Sequence, residues 1–280
     1  MKEFFTKDRL RAIISYSLAF LVCLGVFAMA VSSALLVISS PKAVLSVAEK
    51  SNYAELAADG LGEELNYLAI PSGLPDDFFT DAVDKAEFKA LFLTVAEKTV
   101  KADKEYQLDL SGFNTKILNM VTDYSKNESG DFTEEIQKDI VLFANECENT
   151  YLSYVNPSLI SYLLTLLVSV RKYASLALLI AVLFTGVCGF VLFRLNHIGG
   201  FIKQLFFAFS GAALTLGTIP AILLATNEIS KIGISSKSLY AFVTAFAQQA
   251  LWIALIVAMV LALVAIILLF VKIFTLIFRK

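Results

Sequence analysis

Four long apolar stretches punctuate the chain, and basic residues stand at their ends. The first runs from Ala12 to Pro41, 30 residues without a charge. About 20 residues cross a bilayer at a rise of about 1.5 Å each, so a membrane helix is predicted over 12–38. A cleaved signal peptide is the rival reading, because Ala28-Met29-Ala30 looks like a cleavage site. A signal's apolar region is only about 7–15 residues, whereas this stretch stays apolar through Ile38, and an uncleaved anchor is the reading kept.

The second stretch is interrupted. Residues 158–170 are uncharged, Arg171 and Lys172 follow, and 21 uncharged residues then run from Tyr173 to Phe193. Leu159, Leu163, Leu166, Val170, Tyr173, Ala177, Ile180 and Phe184 hold one helical stripe through the basic pair. One helix is therefore predicted, a stalk over 158–172 and a span over 173–193, with the two cations snorkelling at the outer headgroups. A separate interfacial helix at 158–170 is the alternative. A tight turn over 194–203 holds Arg194, His197, Gly199, Gly200 and Lys203. The third span is placed at 204–226, with a kink at Pro220. From Ser238 to Val271 nothing is charged for 34 residues, longer than one upright crossing. An outer loop with an interfacial segment is read over 227–246, a fourth span over 247–271, and a tail over 272–280.

Between the first two spans lies a different texture. In residues 39–157 apolar positions recur at spacings of three and four, the mark of amphipathic helices. One or two helices are expected over 43–70, closed by Pro71-Ser72-Gly73. Leu74-Pro75-Asp76-Asp77 reads as a helix start, with proline early and acids over the positive end of the dipole. Phe79, Val83, Ala86, Ala90 and Leu93 would form its apolar stripe, and Lys98, Lys101 and Lys104 its basic C-terminal end. A short helix would carry Phe113, Ile117, Met120 and Tyr124. A last one, capped by Asp131 or Thr133, would carry Ile136, Ile140, Phe143, Cys147, Thr150 and Tyr154. The fold class expected is all-α: a polytopic membrane protein with four spans and an extracytoplasmic helical bundle between spans one and two.

Composition sharpens this division. The chain is 58% hydrophobic and 17% charged, with a mean hydropathy of +0.72; soluble domains are about a quarter charged. Residues 41–156 hold 22 of the 25 acids and 10 of the 23 bases, a balance of −12 against +10 for the remainder. Inner flanks would then carry Lys2, Lys7, Arg9, Arg11, Arg194, Lys203, Lys272, Arg279 and Lys280, and the short outer loop Lys231 and Lys237. By the positive-inside rule both ends of the chain face the cytoplasm and residues 39–172 lie outside. Nucleic acid is excluded as a partner, since the insert has neither a basic face nor an aromatic platform. Only Cys147 of Cys23, Cys147 and Cys188 lies in the insert, so the insert has no internal disulfide. That points to a bacterial plasma membrane, with the sequon Asn127-Glu128-Ser129 relevant only to a eukaryotic alternative.

Little chemistry is signalled. His197 is the single histidine and sits in a cytoplasmic turn, so Ser-His and Cys-His catalysis in the insert is excluded. Acids are too many there for any one pair to point to a hydrolase. Asp123 to Glu134 spaces oxygens like a calcium loop, but Glu128 stands where that loop requires glycine. No Gly-rich phosphate loop occurs. Neither a catalytic residue, a metal site nor a cofactor is assigned. Gln248 and Gln249 are read as interfacial, and no ionisable residue lies inside a span, which argues against an ion-coupled transporter.

The positive signal is small residues at every fourth position. Ala177, Ala181, Thr185 and Gly189 mark the second span. Ala213, Gly217, Ala221 and Ala225 mark the third. Ala250, Ala254, Ala258 and Ala262 mark the fourth. Such stripes let helix backbones approach closely in lipid, within the chain or against a partner helix. In its layout and in Gly73-Leu74-Pro75, the chain resembles uncharacterised four-span membrane proteins of Gram-positive bacteria with a helical extracytoplasmic insert, a resemblance that implies no activity. The expectation is a non-enzymatic membrane accessory, scaffold or sensor protein. Its insert would bind a partner or ligand, and its base would pack with a membrane-protein partner or a second copy. A subunit of a channel or transport complex is the alternative.

Overall fold

A computed structural model describes residues 7–102, 106, 108–129 and 133–277. Lys2, Lys104, Asp131, Arg279 and Lys280, named above for charge and capping, lie outside them. The described residues are 87% helical, with no strand. In chain order the helices are α1 (Lys7–Ile38), α2 (Pro41–Lys50), α3 (Tyr53–Ala69), α4 (Lys85–Val100), α5 (Ser111–Ser129), α6 (Glu134–Val155), α7 (Ser158–Leu195), α8 (Ile198–Thr226) and α9 (Lys237–Ile277). Four of them are long and apolar enough to cross a membrane, over Leu10–Ile38, Ser158–Leu195, Ile198–Thr226 and Lys237–Thr275. Their natural setting is a lipid bilayer. The chain divides into two compact units. Of the described residues, the base takes those up to Ser40, Ser169–Ile232 and those from Phe246 onward; the head takes those within Pro41–Val168 and Gly233–Ala245.

Several boundaries differ from the sequence reading. Residues 158–195 are one helix, so no separate interfacial helix forms at 158–170. The ten-residue turn shrinks to Asn196 and His197: α8 starts at Ile198 and takes Gly199 and Gly200 into its first turn. Pro220 lies inside α8, which continues through it. Residues 237–245, read as interfacial, belong to the head, where Phe242 is 1% exposed.

The head is built on large side chains. α3 turns Tyr53, Ala57, Leu61 and Leu65 inward at helical spacing and packs against α4 and α6. Tyr53 meets Phe92 at 4.4 Å between ring centroids and Phe242 at 6.1 Å, and its hydroxyl donates to the Tyr154 carbonyl at 2.6 Å. Phe88 and Phe113 both pack on Tyr151. The end of α3 is as the sequence suggests. A turn of 3-10 helix over Ile70–Ser72 leads to Gly73 at φ +74°, and Leu74 N–H returns to the Ala69 carbonyl. Glycine is the residue that adopts this left-handed step without steric cost.

The helix start at Pro75 is displaced. Residues 75–82 form successive turns, with Phe78, Thr80 and Ala82 donating to carbonyls three residues back. Phe79 anchors the segment: its side chain is buried and its amide donates to Asn66 Oδ1 at 2.8 Å. α4 begins ten residues later, where Asp84, in extended backbone, accepts from the amides of Ala86 and Glu87. A carboxylate that reaches two free amides defines a start better than proline and dipole charge alone. The buried stripe is accordingly Phe88, Phe92, Val95, Ala96 and Val100, while Ala86 and Ala90 are exposed. Two phenylalanines bury far more apolar area than two alanines, and they decide which face turns inward. On α6, Thr133 is the cap, accepting from Ile136 N–H at 3.3 Å. Its inward face is Ile140, Ala144, Cys147, Tyr151 and Val155.

The base core mixes small and branched aliphatic side chains. α1 packs along α8, and Val22 and Val26 form one core with Cys188, Leu192, Ala208 and Ala212. At Gly25 a Cβ would overlap Thr185 Oγ1 and lie 3.2 Å from Thr185 Cβ, so α1 and α7 meet there only because Gly25 has no side chain. At one end of α1 a ring of polar groups ties three helices together. Asn196 Nδ2 donates to Ser15 Oγ at 2.8 Å and Gln204 Oε1 at 3.2 Å, and Gln204 Nε2 donates to Ser15 Oγ. Ser15 and Gln204 are buried, and each partner satisfies another, as buried polar groups require. Above the ring, Arg11 Nε donates to the Leu195 carbonyl at 2.8 Å.

Candidate functional site

The small-residue stripes border an open groove in the base, between α8 and α9, of about 610 Å³. Ala213, Gly217 and Ala221 line it from α8, and Ala258 and Ala262 from α9, with Phe206, Leu255, Met259 and Leu269 at its sides. Gly217 sets its floor: a Cβ there would lie 3.1 Å from Ala258 Cβ, so the two backbones are in close approach. Among the described residues no ionisable group lines the groove, and its few side-chain oxygens belong to Ser210 and Thr218. Thr218 donates its hydroxyl back to the Leu214 carbonyl. Such a surface accepts hydrocarbon, whether a helix face or an acyl chain.

The other predicted positions scatter. Ala181 is buried, Thr185 presses on Gly25, Gly189 is half-buried with no atom within 4 Å of where its Cβ would stand, and Ala177 is exposed. Ala225 is exposed, and Ala250 and Ala254 are half-buried outside the groove lining. The buried residues of α7 within the base are instead Ala174, Ala181, Cys188 and Leu192, the first three at a spacing of seven. A spacing of seven stays near one face of a helix, whereas a strict spacing of four drifts by about 40° per step at 3.6 residues per turn. Reading Ala174, Ala181 and Cys188 as a seven-residue seam would have found this face. Gly25 had no such signal, being one glycine in an apolar run.

The head has a pocket of about 500 Å³ floored by Val121, Ile140 and Phe143, with Glu128 and Asp139 among its lining. Asp123, Ser125 and Asn127 stand on α5, where residues two apart point about 200° apart, so their oxygens do not converge on a cation. Gly130 to Phe132 lie outside the described residues. Among the described residues no cluster of three or more histidine, cysteine or acidic side chains is placed to hold a metal.

Cys147 is fully buried, and burial, then the charge of Glu146, pushes its thiol up to about 12. Burial, then Glu87 and Asp84, pushes Tyr151 up to about 12. Tyr53 is raised further, by burial first and the neighbouring Tyr154 second. All three are neutral at physiological pH and pack in the head. His197 is exposed, immediately before α8.

Searches against protein-family models, curated proteins and solved structures return no match to this chain.

Proposed function

We propose that this protein is a non-enzymatic accessory protein of a bacterial plasma membrane, with both chain ends in the cytoplasm and the acidic helical head outside. The head binds a partner or ligand, and the base docks one transmembrane helix of a partner protein in the groove between α8 and α9. The groove is the observation that carries this reading. It runs beside the close approach at Gly217 and Ala258, has Ala213, Ala221, Ala262 and Ala265 among its apolar lining, and presents no charge among the described residues. A transmembrane helix gains little from hydrophobic burial in lipid, and what favours its association is close packing of this kind. The orientation rests on the basic flanks of the spans and the acidic balance of the insert.

Filling the groove tests it. Full-length protein is purified in mild detergent from its own cells, as wild type and as Ala221→Leu/Ala262→Leu. The wild type is expected to bring down a membrane protein in fixed proportion, and the filled variant to lose it while keeping its elution volume and helix content. A wild type that elutes alone, an unaffected complex, or recovery of a second copy of the chain in place of a partner would each overturn the docking. Solute flux through liposomes holding this protein alone would favour the transport alternative. A head tag shielded from protease added outside intact cells would overturn the orientation.

A further inference from the structure

We infer that the base carries an anionic-headgroup site, a pocket at the polar ring of α1, α7 and α8 that takes the phosphate of an acidic phospholipid. This inference does not depend on the helix-docking groove. The pocket has a volume of about 340 Å³, and among the described residues it is lined by three side chains able to carry positive charge, Arg11, His197 and Lys203, and by no carboxylate. Its floor is rigid. Ser15, Asn196 and Gln204 satisfy one another, with Asn196 Nδ2 also donating to the Leu192 carbonyl at 3.0 Å. Those three groups therefore hold the helices rather than a ligand.

Arg11 is positioned differently. Its Nε and one terminal nitrogen are spent on the Leu195 carbonyl, which fixes the guanidinium plane. A guanidinium has five N–H donors, so three remain, with a full charge that a carbonyl does not neutralise. Lys203 lies one turn into α8 and is exposed, its ammonium 5.9 Å from the centroid of the Phe207 ring. A planar fork and a point charge beside a polar floor suit a phosphate diester.

Location supplies the source. The pocket lies where α1 begins, α7 ends and α8 begins, at the ends of three segments apolar enough to span a bilayer. Lipid headgroups occupy that depth, and basic pockets between spans at the cytoplasmic side bind acidic ones. In sequence, the segments that flank this end also carry Lys2, Lys7, Arg9 and Arg194 against Glu3 and Asp8.

The test uses the full chain in nanodiscs containing phosphatidylglycerol and phosphatidylcholine in equal amounts, with bound lipid counted by native mass spectrometry after release. Wild type is expected to retain phosphatidylglycerol over phosphatidylcholine by about tenfold or more, in line with the usual contribution of one or two basic residues at a headgroup. Arg11→Gln/Lys203→Gln is expected to bring that ratio close to one. Arg11→Lys/Lys203→Arg keeps the charges and should preserve most of it. Lys231→Gln, in the loop after α8, should leave it unchanged. Folding is checked by elution volume and helix content; should the double variant fail that check, Lys203→Gln alone, expected to lower the ratio severalfold, decides. A wild-type ratio near one, or a ratio indifferent to Arg11 and Lys203, overturns the site. Inorganic phosphate at millimolar concentration should not displace the lipid; displacement that depends on Arg11 and Lys203 would make free phosphate the ligand and overturn the lipid assignment.

Discussion

The head and the base solve one problem, packing helices, with opposite side chains. The head turns Tyr53, Phe79, Phe88, Phe92 and Phe242 inward, all at most 2% exposed. The base turns in Ala30, Ala34, Ala208 and Ala212 beside Val22, Val26 and Leu192, with no aromatic ring among its described buried residues and with Gly25 and Gly217 at close helix approaches. It leaves Leu183 at 63% and Val187 at 64% exposed. In water, burying a large apolar side chain yields about 1.5–3 kcal/mol, so the bulkiest residues belong inside. In lipid that gain vanishes, because the tails are as apolar as leucine, and close backbone contact with shared hydrogen bonds holds helices instead. Large side chains are then best turned outward. The polar ring of Ser15, Asn196 and Gln204 belongs to the same logic, as a hydrogen-bonded tie where burial of area does little.

The contrast can be broken, most sharply in the aromatic core of the head. Phe92→Ala is expected to cost the head about 3–5 kcal/mol, as truncating a buried aromatic residue does. Proteolysis of the full-length protein in detergent should then cut within residues 41–168 long before the spans loosen; equal loss in both regions would show that the two are not separately packed. Gly25→Leu is the counterpart in the base. Overpacking of this kind costs about 1–3 kcal/mol, and here the new side chain meets Thr185 directly. The variant should lower the thermal midpoint of detergent-solubilised protein while the head's protease pattern stays as in wild type.

Alkaline pH separates the regions more gently. Burial raises Cys147 from 9.0 and Tyr151 from 10.0, each to about 12. A pKa raised by folding means that the folded state holds its proton longer. The associated stability is complete below the unfolded values and is lost as pH climbs through the folded ones. The head should therefore weaken between about pH 9 and 12, visible as loss of near-ultraviolet circular dichroism, and Tyr151→Phe should flatten part of that decline. No pH dependence from Tyr151 in this window would contradict its burial. The smallest effect is at a helix end. Asp84→Ala removes the acceptor of the Ala86 and Glu87 amides and should destabilise the head by about 1 kcal/mol, measured as faster hydrogen exchange in the first turn of α4; Pro75→Ala should not alter exchange there.

Apolar length alone made all four long helices legible, and helical periodicity with turn residues placed α2, α3, α5 and α6 close to where they lie. What misled was choice among equivalent local signals. Pro75-Asp76-Asp77 and Asp84-Lys85-Ala86-Glu87 both look like helix starts. Asn66, on the preceding helix α3, accepts from the Phe79 amide and holds the first of them in turns. The groove was half legible: Ala213, Gly217, Ala221, Ala258 and Ala262 were marked by spacing. The pocket of Arg11, His197 and Lys203 was not, because two of its walls are about 185 residues apart in the chain.

By itself, then, the sequence determined the class of this protein: an all-helical chain with four segments built for lipid and one acidic stretch built for water. Those are properties of composition and period, which every residue carries locally. Only the tertiary structure decided which small residues face a neighbouring helix, which phenylalanines fill the head, and which cations gather above the polar ring. Each of those depends on the rotation of one helix against another, and rotation is set by the contacts a helix makes, not by the residues it contains.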